Sequence, residues 1–333
     1  MATINQQQMF HAEYLIVARY ALDCGLEATR ASNSTLFRIS FVMVQSTPAP
    51  TSHYYVSQRL RLRYVDWGNP QAPPLLLLHG GLDHCRNWDW LATRLSKDWH
   101  VIAPDLRGHG DSQWSPDGHY SMAAFICDLA SLVEQQQLAP LSLVGHSLGG
   151  NVCLRFAGIY PDKVRRVVAI EGLGPSPEII AQETQLSIAE RMQKWIAEQQ
   201  RMAGRVPRSY QSFDEALRRM QEENKHLSNE QALHLTQHGV KQNEDGTYSW
   251  KFDNYLRSWL PVDMTRAQIH ELWSRITCPA LLVWGKESWA SNPEEDGRVQ
   301  YFQHGKVAAV EQAGHWVHHD QPEQFMTLLT EFL

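Results

Sequence analysis

Apolar and polar side chains alternate through Tyr54–Arg59 and again through Leu60–Trp67, the period-two pattern of a hairpin whose strands each bury one face. Leu75–Leu78 and Val101–Ala103 are instead short, wholly apolar runs. Each is followed by a glycine-bearing loop, as parallel strands buried on both faces should be. Between them Trp88–Leu95 has a helical period. Met122–Gln137 is a second amphipathic helix, which leads through Pro140 into the apolar run Leu141–Val144. With a further run at Val167–Ile170, strand and helix alternate as they do in a doubly wound α/β sheet.

After Gly172 the alternation stops. Pro175 to about Ile276 is charged, glutamine-rich and helical in period, with Ile188–Gln200 and Phe213–Glu223 the clearest helices. Strand-like sequence returns at Ala280–Trp284 and Val307–Val310, and Pro322 suits the first turn of a closing helix Pro322–Leu333. The pattern predicts a core of residues 53–174 and 276–333, interrupted by a helical cap at 175–275. Residues 1–45 stand apart. Met9–Leu26 reads as a weak amphipathic helix with no basic stretch ahead of an apolar core, so a secretory signal is not expected. Glu13, Asp23 and Glu27 count against an organelle transit peptide. The segment is expected to be dispensable, with Met43 an alternative start.

Composition narrows the function. A content of 43% hydrophobic and 20% charged residues belongs to a folded protein, and the 333 residues allow a sizeable core. A net charge of −6 supplies no basic face for phosphates, so nucleic acid is not an expected partner. The longest apolar runs are strand-length, which predicts no membrane span. Five scattered cysteines fit unpaired thiols in a reducing compartment, hence a cytoplasmic protein, and no CxxC pair suggests a structural metal.

The strongest chemical signal is Gly145-His146-Ser147-Leu148-Gly149-Gly150, directly after an apolar strand and directly before the helical run Asn151–Tyr160. A serine on so tight a strand-to-helix turn projects its hydroxyl beyond the sheet, and glycines two residues to either side remove side chains that would collide across the turn. The loop His79-Gly80-Gly81-Leu82 follows another strand. It can aim an amide of Gly81 or Leu82 at a developing oxyanion, with Leu148 supplying the second donor. His79 is expected to brace this loop, while Asp83, Arg86 and Trp88 are placed to shape a pocket mouth. Sixteen histidines compete for the role of base, and position selects His315, in a loop after the strand Val307–Val310 at the carboxyl edge of the sheet. His318 and His319 are read as structural or exposed, with His318 a secondary candidate for base.

Together these residues resemble the α/β-hydrolase superfamily, in particular its capped branch of esterases, lipases and related hydrolases. The resemblance runs from about Tyr54 to Leu333 and includes Pro104-Asp105-Leu106-Arg107-Gly108-His109-Gly110-Asp111-Ser112, a loop in which Arg107 and Asp111 brace the architecture in similar proteins. It implies an eight-stranded, mostly parallel sheet with a helical cap, and a triad in the order nucleophile, acid, histidine. One position departs from the commonest pattern: the usual aspartate, three residues after Gly285, is Ser288 here. Some similar proteins carry the acid at the end of the sixth strand, and Val167-Val168-Ala169-Ile170-Glu171 ends in a carboxylate. Glu171 is therefore the first candidate for the acid and Glu287 the second.

The chemistry implied needs no cofactor and no metal. His315 takes the proton of Ser147, the serine attacks a carbonyl, and water releases the acyl group, with Glu171 holding the imidazole tautomer. A carboxylic ester is the expected substrate; lactone, thioester and carbon–carbon bond cleavage use the same constellation, and a non-catalytic small-molecule receptor of the same fold is the alternative outside enzymes. Twelve tryptophans, Trp195, Trp250, Trp259 and Trp273 among them, either wall an apolar or aromatic pocket or glue cap to core.

Overall fold

A computed structural model of the chain describes residues 49–333 apart from 184, 204 and 206. The expectations for residues 1–45 and for Met43 lie outside the described residues. The alternating run folds as β1 (Thr51–Ser57) and β2 (Leu60–Asp66), paired antiparallel. Gln58 and Arg59 both take positive φ, 47° and 70°, the shape of a two-residue hairpin turn whose twist suits its strands. The first strand therefore stops at Ser57 rather than running on to Arg59.

Strand and helix then alternate: β3 (Pro74–Leu78), α1 (Asp89–Leu95), β4 (His100–Pro104), α2 (Met122–Gln135), β5 (Leu141–His146), α3 (Leu148–Ile159) and β6 (Val164–Ile170). The insertion contributes α4 (Pro177–Glu183), α5 (Ile188–Met202), α6 (Phe213–Glu223), α7 (Asn229–Gly239), the small hairpin β7 (Val240–Gln242) and β8 (Tyr248–Trp250), and α8 (Arg266–Ser274). β9 (Ala280–Gly285), β10 (Gly305–Val310), α9 (Val317–Asp320) and α10 (Pro322–Phe332) complete the order. The main sheet runs β1-β2-β4-β3-β5-β6-β9-β10, antiparallel only where β2 meets β1 and β4. This is the eight-stranded, mostly parallel α/β sheet expected from the sequence.

Successive residues of a strand face opposite ways, so a continuous apolar run feeds two cores at once. Leu76, Leu78, Leu143 and Leu282 pack with Phe125, Phe156 and Trp273 on one face; Leu75, Leu77, Val144 and Val283 pack with Leu91, Phe325 and Leu329 on the other. Trp88, expected at a pocket mouth, is instead wholly buried in the second core, stacked on His318 at 4.5 Å. A 3₁₀ turn at Cys85–Trp88 precedes α1 and rolls that side chain inward. Trp273 likewise joins α8 to the core rather than facing a pocket, whereas Trp259 is exposed.

The loop after β4 is fixed by charge. Arg107 makes a two-pronged ion pair with buried Asp128, both bonds 2.6 Å. Asp105 accepts from the amides of Cys85 and Asp111 and from Arg63. Burial works to raise its pKa, but Arg63, His79 and the two amides outweigh burial and hold it at about 2. Asp111 is less enclosed than Arg107 and bridges Arg63 to Lys251 of the insertion.

Several histidines are sealed in these layers. Burial pushes His79 and His319 down to about 3 and His109 to about 4, and depresses His84, His146 and His318 too. Such rings stay neutral in the fold and gain a proton on unfolding once the pH is below ~6.5. Their folded pKa lies below the unfolded one, so the contribution is complete above ~6.5 and is lost as pH falls, by about 1.4 kcal/mol per group per pH unit. Against a total stability of roughly 5–15 kcal/mol, these groups predict cooperative acid unfolding near pH ~5, followed by far-UV circular dichroism. Retention of the fold down to pH ~3 would contradict this.

Candidate active site

β5 passes into α3 through one residue, Ser147, whose φ of 50° and ψ of −113° are a strained combination for any residue with a Cβ. The bend requires glycine around it. A Cβ on Gly145 would lie 2.5 Å from the Gly149 carbonyl carbon, and one on Gly149 would strike the carbonyl oxygen of Leu78. The Ser147 amide donates to Ile170 (2.8 Å), tying the turn to the end of β6. Leu148 opens α3, so its amide belongs to the first turn and has no partner within the helix.

The loop after β3 closes on the same point. A Cβ on Gly80 would sit 2.7 Å from His146 Nδ1 and 3.4 Å from the Ser147 Cβ, so only a glycine lets the loop approach the serine so nearly. His79 fixes the loop through both ring nitrogens: Nδ1 donates to the Gly80 carbonyl (2.7 Å) and Nε2 accepts from the Leu106 amide (2.9 Å). Its tautomer is thereby set, and it acts as a brace. Gly81 follows, and then Leu82, whose φ is 62°.

His315 and Glu171 come together at the same carboxyl edge of the sheet, beside the end of β5. Glu171 ends β6 at a φ of 54°, with its side chain fully buried, and its Oε2 lies 3.4 Å from His315 Nδ1. The carboxylate is held from a neighbouring strand end: Oε1 accepts from the Gly285 amide (2.8 Å) and Oε2 from the Ser288 hydroxyl (2.7 Å). Ser288, at the position of the commoner acid, thus orients the Glu171 carboxylate. Glu287 is exposed, and no hydrogen bond or ion pair joins it to His315.

Two neighbours were not foreseen. His146 donates from Nε2 to the His315 carbonyl (2.9 Å), and burial, then the adjoining His315, hold its pKa well below the usual histidine range. The backbone bearing His315 is thereby tied to the residue before Ser147. Trp289 lies over the His315 ring at 5.0 Å and is otherwise exposed. His318 and His319 are both buried, not exposed, and neither ring nitrogen of His318 has a hydrogen-bond partner, so no carboxylate orients it as a base. A narrow cleft lined by Leu82, His84, Leu235, Trp250, Phe252 and Trp316 adjoins the loop after β3, with room for about one water molecule. Ser147 is not among its lining residues.

Residues 75–328 match the alpha/beta hydrolase family. The chain is 28% identical over 283 residues to a serine hydrolase-like protein of Danio rerio, covering 82% of this chain and 85% of the relative. It is 31% identical over 276 residues to the sn-1-specific diacylglycerol lipase ABHD11 of Mus musculus, covering 80% and 82%. Among solved structures, the thioesterase domain from the curacin biosynthetic pathway has a TM-score of 0.72 at 24% identity, covering 85% of this chain and all of that one, which bears on the fold alone. The chain belongs to the alpha/beta hydrolase family. Its class is that of the serine hydrolases. Among the described residues no helix is long and apolar enough to cross a membrane.

The strained turn has a measurable consequence. Ser147→Gly removes a penalty of about 1–3 kcal/mol while making the unfolded chain more flexible, so a net gain of roughly 1 kcal/mol is expected in urea denaturation. A variant less stable than the parent would show that the turn is not strained.

Proposed function

We propose that the chain hydrolyses a carboxylic ester through an acyl-enzyme on Ser147. The observation that carries this reading is a fully buried carboxylate, Glu171, against one nitrogen of an imidazole whose backbone is tied to the residue before an elbow serine. In this mechanism Glu171 keeps the His315 proton on Nδ1, which leaves Nε2 free to accept the proton of the Ser147 hydroxyl as its oxygen attacks the carbonyl carbon. The amides of Leu148 and of Gly81 or Leu82 stabilise the oxyanion, each such donor being worth about 3 kcal/mol of barrier. The imidazolium then protonates the leaving alcohol. Water repeats the cycle on the acyl-enzyme and frees the acid. The diacylglycerol lipase name of the mouse relative supports an ester as substrate.

A fluorophosphonate probe is expected to label Ser147, located by peptide mass spectrometry, and Ser147→Ala to lose both labelling and hydrolysis of aryl esters. Labelling at another residue would sink the mechanism. For the acid, Glu171→Gln should lower turnover by ~10³–10⁴, because the wrong tautomer is then held, while Glu287→Gln stays within about tenfold of the parent. Equal losses in the two variants, or the larger loss at Glu287, would reject Glu171 as the acid.

A further inference from the structure

Asp89, His234 and His238 come together where the insertion meets the core, away from Ser147 and His315. One ligand atom from each lies within 4.8 Å of the other two. The two histidines are four residues apart on α7, hence on one face of the helix, with ring centroids 4.6 Å apart. Asp89 opens α1 from the opposite side, and its Oδ2 lies 3.3 Å from His234 Nε2. None of the three is fully buried, so an ion has a path to them.

We propose that these three side chains bind one divalent transition-metal ion of the zinc class, tying α7 to the core segment that follows the loop at Gly80–Leu82. Two imidazoles and one carboxylate select zinc, cobalt or nickel over magnesium or calcium, which prefer all-oxygen sites. Three protein ligands leave a fourth position of a tetrahedron for water. A metal takes each imidazole in its neutral form and the carboxylate ionised. Nε2 of His234 now donates to the Arg86 carbonyl (3.1 Å); if that nitrogen takes the metal, its proton sits on Nδ1 instead and none is lost.

One group opposes the ion. The Arg86 guanidinium lies across the Asp89 carboxylate with contacts of 2.6–2.9 Å, so the metal has to share or displace a resident cation. The sign of that effect gives the site a signature that adventitious histidine binding lacks: removing a positive charge beside the ion strengthens binding, whereas removing a ligand weakens it. The ion would also act beyond its own shell, because Trp90 touches His234 at 4.5 Å and His319 at 5.9 Å, and His319 touches Trp316, the neighbour of His315.

The test is calorimetric titration of the full chain with zinc chloride, repeated with cobalt to read its visible bands, and neither readout depends on ester hydrolysis. The parent should bind one equivalent, with the intense bands of four-coordinate cobalt. His238→Gln and His234→Gln should each weaken zinc by ~100-fold or more, and Arg86→Met should tighten it by about tenfold. Melting temperatures without metal identify any variant that fails to fold, and the remaining ligand variant then carries the comparison. No binding by the parent, or equal affinity in the parent and a folded ligand variant, would overturn the site.

Discussion

The chain turns from strand to helix within one residue at Ser147, and the surroundings are organised by the space that bend requires. Gly145 and Gly149 meet face to face, Gly149 presses on the end of β3, and Gly80 brings the next loop against the serine. A methyl group at any of these positions would have to move backbone or a buried ring. The cost of holding Ser147 at positive φ is met by burial around it: β5 is enclosed along its whole length, and α3 is packed between α2 and α8. In the proposed mechanism, a hydroxyl held in this way is presented to the substrate without further ordering.

The second constraint is how a carboxylate reaches the histidine. Glu171 leaves β6 one strand earlier than the commoner position after β9, and it is kept in place by the strand it bypasses, through the Gly285 amide and the Ser288 hydroxyl. Three strand ends thus converge on His315: β5 through His146 on its carbonyl, β6 through Glu171 on its ring, and the loop after β9 through Ser288, which holds Glu171. The Gly314 amide, donating to Asp320 at 2.7 Å, anchors the loop that carries His315.

Much of this was legible in the sequence because strands buried on two faces leave continuous apolar runs, and because a glycine-flanked serine between strand and helix has few other uses. What was missed is what depends on contacts distant along the chain. The β7–β8 hairpin has strands of three residues each, too short for a period, although Asp245-Gly246 signals its turn. α7 and α8 were not singled out within a uniformly polar insertion, although Ser228 with Gln231 and Thr265 with Gln268 form capping boxes at their starts. Trp88 was misplaced because a single 3₁₀ turn decides which way it faces. Ser288 was seen only as a missing acid, since its hydroxyl gains its role from a residue 117 positions away.

The central claim is that Ser147, His315 and Glu171 act as one line beside amide donors at Leu148 and the Gly81–Leu82 turn. The measurement that tests it most directly is a crystal structure of the chain inactivated by an alkyl phosphonate. Phosphorus bonded to Ser147 Oγ, the phosphoryl oxygen on the Leu148 amide and on Gly81 or Leu82, and the His315 ring between Oγ and the Glu171 carboxylate would be the predicted result. Phosphorus on another residue, or a His315 ring turned toward Glu287 with Glu171 facing away, would contradict it.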